Sequence, residues 1–167
     1  MRVMGIDCGS EVTGYGVVED APGGDLRALT SGAITLTGRD RLPARLAHVF
    51  HGLCQIIEAY RPDAVAVEDV FYAVNAKSAL KLGHVRGVAM LAAASFELHV
   101  AEYAPLTIKS AVVGYGKAEK AQVQEMVMRL LKLETRPEPA DVADALAIAI
   151  CHLHTSATLL RQQASAR

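Results

Sequence analysis

Apolar positions in this chain recur with two periods, and the change of period divides the chain into elements. Arg2 to Cys8 is a short, mostly apolar run that reads as a strand, with Asp7 near its C-terminal end. Thr13 to Glu19 alternates enough for a second strand, Ala21-Pro22-Gly23-Gly24 is a turn signal, and Leu26 to Leu36 reads as a third strand. Three successive strands joined by short turns predict an antiparallel meander. From Asp40 to Tyr60 the period becomes helical, through Leu42, Leu46, Val49, Leu53 and Ile56 or Ile57. Asp40 is placed to act as N-cap, Pro43 is tolerated in the first turn, and Pro62 blocks continuation. Ala64 to Val67 is apolar without alternation, as a buried parallel strand is, and it ends at Glu68-Asp69. Asn75 to Leu98 reads as a second helix, in which Gly83 and Gly87 leave room for the sheet or another subunit. Val100 to Tyr103 is a fifth strand. Pro105 to Val113 and Glu119 to Leu133 read as helices separated by Gly114 and Gly116. After a break from Arg136 to Pro139, Ala140 to about Thr155 is a last apolar helix, and residues 156–167 are expected to be a disordered tail. This order predicts an α/β fold over residues 1–155, a five-stranded mixed sheet flanked by helices.

Composition narrows the class without naming a chemistry. A chain of 167 residues with 51% hydrophobic and 21% charged residues folds around a core of its own. No apolar run reaches the roughly 20 residues of a membrane span, and the N-terminus lacks the basic start and cleavage site of a signal peptide. A cytoplasmic location with no membrane partner is therefore expected. Cys8, Cys54 and Cys151 show neither a CxxC nor a zinc spacing and read as reduced core thiols; strand alternation turns Cys8 to the face opposite Asp7, although its place beside Asp7 also fits a redox-sensitive neighbour. The formal net charge of -1 gives no general attraction to nucleic acid. The charge is unevenly spread, however, with an acidic first half and a more basic stretch from Phe71 to Arg136.

Four acids stand out. Asp7 ends the first strand, Glu68 ends the fourth, and Asp141 and Asp144, three residues apart, share one face at the start of the last helix. Each has an ordinary explanation: Asp141 suits a helix N-terminus, where the dipole favours an acid by ~0.3–1 kcal/mol, and Glu68 could stand in solvent. The dipole accounts less well for Asp144, one turn further into an apolar helix. If the first and fourth strands are neighbours and the last helix packs beside them, all four acids converge. Such a cluster raises its own pKa values unless cations relieve it. Oxygen-only ligands select Mg²⁺ or Mn²⁺ over zinc, and two such ions suit hydrolysis of a phosphodiester. The six histidines form no convincing ligand pair; His48, His51, His152 and His154 read as surface or core-edge residues.

The stretches GIDCGSEVTGYGVV, AVEDVFYAVNAKSALKLGHVRGVA, VVGYGKAEKAQVQEMV and ADVADALAIAI follow one another in order between Arg2 and His152. Together they resemble the RuvC family of Holliday junction resolvases. The resemblance implies a ribonuclease H-like fold, a homodimer, and symmetric nicking of opposing strands of a four-way DNA junction with Mg²⁺ or Mn²⁺, two ions to each active site. It implies a branch-migration complex, RuvA and RuvB, as partner. Asp7, Glu68, Asp141 and Asp144 match the family's catalytic carboxylates, Phe71 matches its aromatic near the junction centre, and Lys109 and Lys120 match basic residues around its active site. The family often has Pro where Cys8 stands. Asp69 doubles the acid beside Glu68 but points away by alternation, and Tyr72 follows Phe71, so either aromatic could stack.

The residues themselves accord with a DNA partner. An exposed aromatic at Phe71 or Tyr72 can stack on an unpaired base for ~1–3 kcal/mol, or can serve as a lid on the core. Arg86 on the second helix, and Lys109, Lys117 and Lys120 near the glycine break, are candidate phosphate contacts; Lys77 and Lys81 read as ordinary surface lysines. Lys117 and Lys120 could meet a phosphate at a helix N-terminus. The glycines after Asp7 read as room for a turn beside a phosphodiester. Two other classes compete. An actin-like or sugar-kinase-like ATPase also begins with Asp, Gly and Ser, as in Asp7, Gly9 and Ser10, but it needs two such halves. A junction-binding module without catalysis has no use for four acids that repel DNA.

Overall fold

The computed structural model describes residues 1–21, 23–36, 41–69 and 76–165, the last seven by their backbone alone. Five strands, β1 (Arg2–Asp7), β2 (Val12–Asp20), β3 (Leu26–Thr35), β4 (Ala64–Glu68) and β5 (His99–Tyr103), form one sheet in the order β3-β2-β1-β4-β5. The expected meander is present: β1 pairs with β2 and β2 with β3, all antiparallel. On the other side β1, β4 and β5 run parallel. The helices are α1 (Leu42–Tyr60), α2 (Ala76–Ala94), α3 (Pro105–Val113), α4 (Lys120–Leu130) and α5 (Ala140–Ser165).

Several boundaries differ from the sequence reading, three of them in ways that have a physical reason. Arg41 occupies the N-cap position of α1 without a side-chain bond, and Asp40 lies outside the described residues. Helix α2 stops at Ala94, because a tight turn through Glu97, at a φ of 57°, reverses the chain into β5. Helix α5 does not end near Thr155, where the apolar pattern ends, but runs to Ser165 through the stretch expected to be a disordered tail. Leu, Arg, Gln and Ala in that stretch are good helix formers and prolong a helix already nucleated.

Alternation along the strands sorts two cores. Met4, Ile6, Val17, Val65 and Val67 point to α1 and α2. Val3, Val18 and Ala66 point to the other face, covered by α3, α4 and α5. Asp7 and Glu68 continue the second set, two residues beyond Gly5 and Ala66. The parallel register pairs Ile6 with Val67, so Asp7 and Glu68 end neighbouring strands side by side.

Helix α5 lies on the sheet almost backbone to backbone. A Cβ on Gly5 would stand 2.0 Å from the Ala145 carbonyl oxygen and 2.7 Å from the Ala149 nitrogen. One on Gly14 would stand 2.1 Å from the Asp141 carbonyl oxygen, and one on Gly16 would strike Leu146. Gly14 is the register partner of Asp7. These glycines therefore make room for the helix, which corrects the reading of Gly14 and Gly16 as space beside a phosphodiester. By contrast, nothing stands within 4 Å of a Cβ on Gly83 or Gly87, so α2 does not use them against the sheet.

Gly5→Ala forces α5 away or strains both backbones. We expect a loss of about 3 kcal/mol, the upper end of ordinary overpacking costs, read from urea denaturation. A loss below about 1 kcal/mol would mean that α5 can slide without consequence.

Candidate active site

Asp7, Glu68 and Asp144 line one cleft of about 330 Å³, together with Lys109, Lys120 and an apolar floor of Ile108, Val123 and Ala147. Two strand ends supply the first two acids. Helix α5 supplies Asp141 from the residue whose backbone rests on Gly14, and Asp144 from one turn further on. Asp141 is not among the residues that line the cleft; one of its carboxylate oxygens is 3.7 Å from the Cβ position of Gly9.

The electrostatics record the crowding. Burial first, and then Asp144, Glu68 and Asp141, together raise Asp7 from the ordinary carboxylate range to about 7, against the pull of Lys120. Glu68 is raised too, first by burial and then by Asp144, with Lys109 and Lys120 opposing. Lys120 opens α4 and places its ammonium 2.6 Å from Asp144 Oδ2. That hydrogen bond holds the lysine charged, with its own pKa raised. Lys109, on the middle of α3, faces the cleft because Ile108 and Val112 turn into the core.

The other predicted site residues separate. Lys117 is exposed between α3 and α4 and is not among the residues lining the cleft. The N-terminus of α4 is already satisfied: the Glu119 carboxylate accepts from the N3 backbone, and Gln122 Oε1 accepts from the Glu119 N–H at 2.9 Å. A phosphate there would meet a carboxylate, which corrects the reading of that helix end as an anion site. Phe71 and Tyr72 lie outside the described residues. Arg86 is engaged by the protein itself, through Glu102, through Asp69 at 3.8 Å, and through the Glu68 carbonyl at 3.3 Å. Sequence reasoning missed that engagement, although Glu102, one residue before the end of β5, was its visible partner.

Cys8 packs against the α1 and α2 side, as alternation requires. Burial and the neighbouring Asp7 push its thiol up to about 12, so it stays protonated and behaves as a core residue. No histidine lines the cleft among the described residues. His152 is buried with Nδ1 2.8 Å from the Tyr103 hydroxyl, and His154 Nδ1 is 2.9 Å from the Ala111 carbonyl oxygen.

The sequence model of the family described as crossover junction endodeoxyribonuclease RuvC matches residues 3–152. The chain belongs to the RuvC family. A curated relative of that name from Koribacter versatilis is 68% identical, over 99% of this chain and all of its own length. Another, from Acidobacterium capsulatum, is 59% identical over 98% of this chain and 99% of its own. Among solved structures, Thermus thermophilus RuvC in complex with a Holliday junction substrate superposes with a TM-score of 0.87 at 30% identity, covering 95% of this chain and 96% of that one. The yeast mitochondrial Holliday junction resolvase, 17% identical, shares the fold with a TM-score of 0.70. The fold is the ribonuclease H-like one. This RuvC-family chain is an endodeoxyribonuclease that resolves Holliday junctions, and the ATPase and the inactive binding module are set aside.

Four acids held against one another make folding depend on pH. A carboxyl whose pKa is higher in the folded state binds its proton more tightly there, so stability is lost as pH rises from the unfolded value near 4 to about 7. In metal-free buffer the protein is expected to lose on the order of 2–4 kcal/mol over that window. Asp7→Asn should flatten the profile and be the more stable protein at pH 8. Urea titrations at pH 5 and pH 8 in EDTA measure both, and a parallel pH profile in the variant would rule out Asp7 as the source.

Proposed function

We propose that Asp7, Glu68, Asp141 and Asp144 are the catalytic carboxylates, and that they hold Mg²⁺ or Mn²⁺, two ions to each site, on a four-way junction. The observation that carries this is the convergence of Asp7, Glu68 and Asp144 on one cleft, with Asp141 close enough to act on Asp7, at the cost of raising Asp7 to about 7. The donor set is all oxygen, as hard divalent ions require. Among the described residues no group of three is already arranged to hold an ion. Instead Lys120 sits on Asp144, so one carboxylate is occupied by an ammonium at 2.6 Å. A divalent cation held by Asp7, Glu68 and Asp144 would supply an activated water and charge stabilisation at the leaving oxygen. Asp7 and Glu68 fix the strand side of the site and Asp144 the helix side. Asp141 adds negative charge from outside the cleft lining. Lys109 and Lys120 hold positive charge at the rim, where the DNA backbone approaches, and orient the scissile phosphate.

We also assign a homodimer. Helix α2 leaves Leu80, Gly83, Gly87 and Leu91 exposed on successive turns of one face, with Leu80 64% and Leu91 58% exposed. A second copy set there would give the assembly two clefts, one for each of the two nicks. Phe71 or Tyr72, between β4 and α2, is the proposed aromatic at the junction centre, with Lys117 as an outer phosphate contact. RuvA and RuvB are the proposed branch-migration partners.

Two outcomes check this. Asp7→Asn should still bind a synthetic four-way junction but lose paired nicking by at least about a thousandfold in Mg²⁺ or Mn²⁺, since it removes several kcal/mol of transition-state stabilisation. Nicking at the wild-type rate would remove Asp7 from the site. Leu91→Glu should raise the dimer dissociation constant about tenfold or more in sedimentation equilibrium, and an unchanged value would move the interface off this face of α2.

A further inference from the structure

We propose that Arg86 is a positioning residue, which holds the end of β4 so that Glu68 enters the cleft and Asp69 stays out of it. The inference rests on the reading of Glu68 as a metal-holding carboxylate. It starts from the two faces of the sheet. Glu68 follows Ala66 toward α5, whereas Val67 points to α2. Glu102 is the register partner of Val67 and therefore shares its face. Arg86 follows Val85, which is buried against that same face. Its guanidinium thus approaches β4 from behind, on the side away from the carboxylate cleft.

From there it makes three contacts at one point. It pairs with the Glu102 carboxylate on β5. It stands 3.8 Å from Asp69 Oδ1. Its Nε donates to the Glu68 carbonyl oxygen at 3.3 Å. The fork shape of a guanidinium suits this, because one planar group can serve a carbonyl and two carboxylates at once. Asp69 has the same chemistry as Glu68 and is its chain neighbour, so a free β4 end could present either acid. Holding Asp69 on Arg86 and fixing the Glu68 carbonyl leaves one choice. Backbone N–H of Asp69 adds to this by donating to the Tyr103 carbonyl at 2.8 Å. Arg86 does not touch the cleft and so acts through Glu68. That differs from a phosphate contact, and the two make opposite forecasts.

The test uses Arg86→Gln, with Arg86→Lys as a second variant that keeps the charge without the fork. Junction binding is measured in EDTA across a salt series, Mn²⁺ binding by calorimetry, and cleavage as a function of Mg²⁺. A positioning role predicts junction affinity and salt slope unchanged in EDTA, Mn²⁺ affinity weakened roughly 10–100-fold, and the Mg²⁺ midpoint of cleavage raised similarly. Arg86→Lys should recover only part of this. A weaker junction complex with a salt slope lower by about one would make Arg86 a phosphate contact and overturn the proposal. A lowered melting temperature with unchanged Mn²⁺ affinity and Mg²⁺ midpoint would make it a packing residue only and also overturn it. If Arg86→Gln does not fold, the same readouts on Arg86→Lys decide. Glu68→Gln separates the two layers: if it retains full cleavage and Mn²⁺ affinity, the reading of Glu68 fails. If it loses both while Arg86→Gln keeps both, the Arg86 proposal alone fails.

Discussion

Everything at this site depends on how closely α5 sits on the sheet. An ordinary helix stands off a sheet by the thickness of two side chains, and at that distance Asp144 could not reach the ends of β1 and β4. Here the side chains are removed where the helix crosses. Gly5 and Gly14 on the strands meet backbone at Ala145, Ala149 and Asp141 on the helix. The contact is self-reinforcing, since the same helix buries Leu146, Ile148 and Ile150 almost completely. Fully burying side chains of that kind contributes roughly 1.5–3 kcal/mol each. A rise in Asp7 from 3.8 to about 7 opposes folding by no more than about 4 kcal/mol. Three apolar residues of one helix are thus enough to hold mutually repelling acids together.

The cluster is also partly neutralised by the protein. Lys120 bonds Asp144 and lowers Asp7 and Glu68, while Lys109 lowers Glu68. Their positions follow from short-range features. Pro105 starts α3, Gly114 at a φ of 95° ends it, and the Glu119–Gln122 capping box starts α4 one residue before Lys120. The glycine break between α3 and α4 thus leaves Lys109 and Lys120 aimed at the acids. A site of this kind is incomplete in charge: three cleft carboxylates face two ammonium groups, with Asp141 outside the cleft lining. What balances it is a cation or, at lower pH, a proton on Asp7.

Most of the fold was readable because its signals are local. The antiparallel meander, the parallel strands, the turn glycines and the helices each carry their period within ten to twenty residues, and α3 was placed to the residue. The four acids were readable as a set only because three elements end in acids where the nearby residues are apolar. The seat of α5 was not read, although Gly5 inside β1 and the Ala145–Ala149 spacing were visible. A glycine in a strand reports that something comes close, and only the tertiary arrangement says what. The partner of Arg86 was missed for the same reason. A cation on a helix looks alike whether a phosphate or the protein's own Glu102 neutralises it, until strand register puts Glu102 and Val67 side by side.

Once register is known, the sheet divides the work between its faces. Successive residues Val67, Glu68 and Asp69 leave β4 in alternating directions, so two adjacent acids of equal chemistry cannot both enter one cleft without distorting the strand. Alternation alone weakens at a strand end, where the bond from the Asp69 N–H to the Tyr103 carbonyl is the last that ties β4 to β5. There the contacts of Arg86 with the Glu68 carbonyl and with Asp69 take over from the ladder. A charged group on the side opposite the chemistry therefore does what pairing does in the middle of the strand: it fixes which side chain faces the substrate.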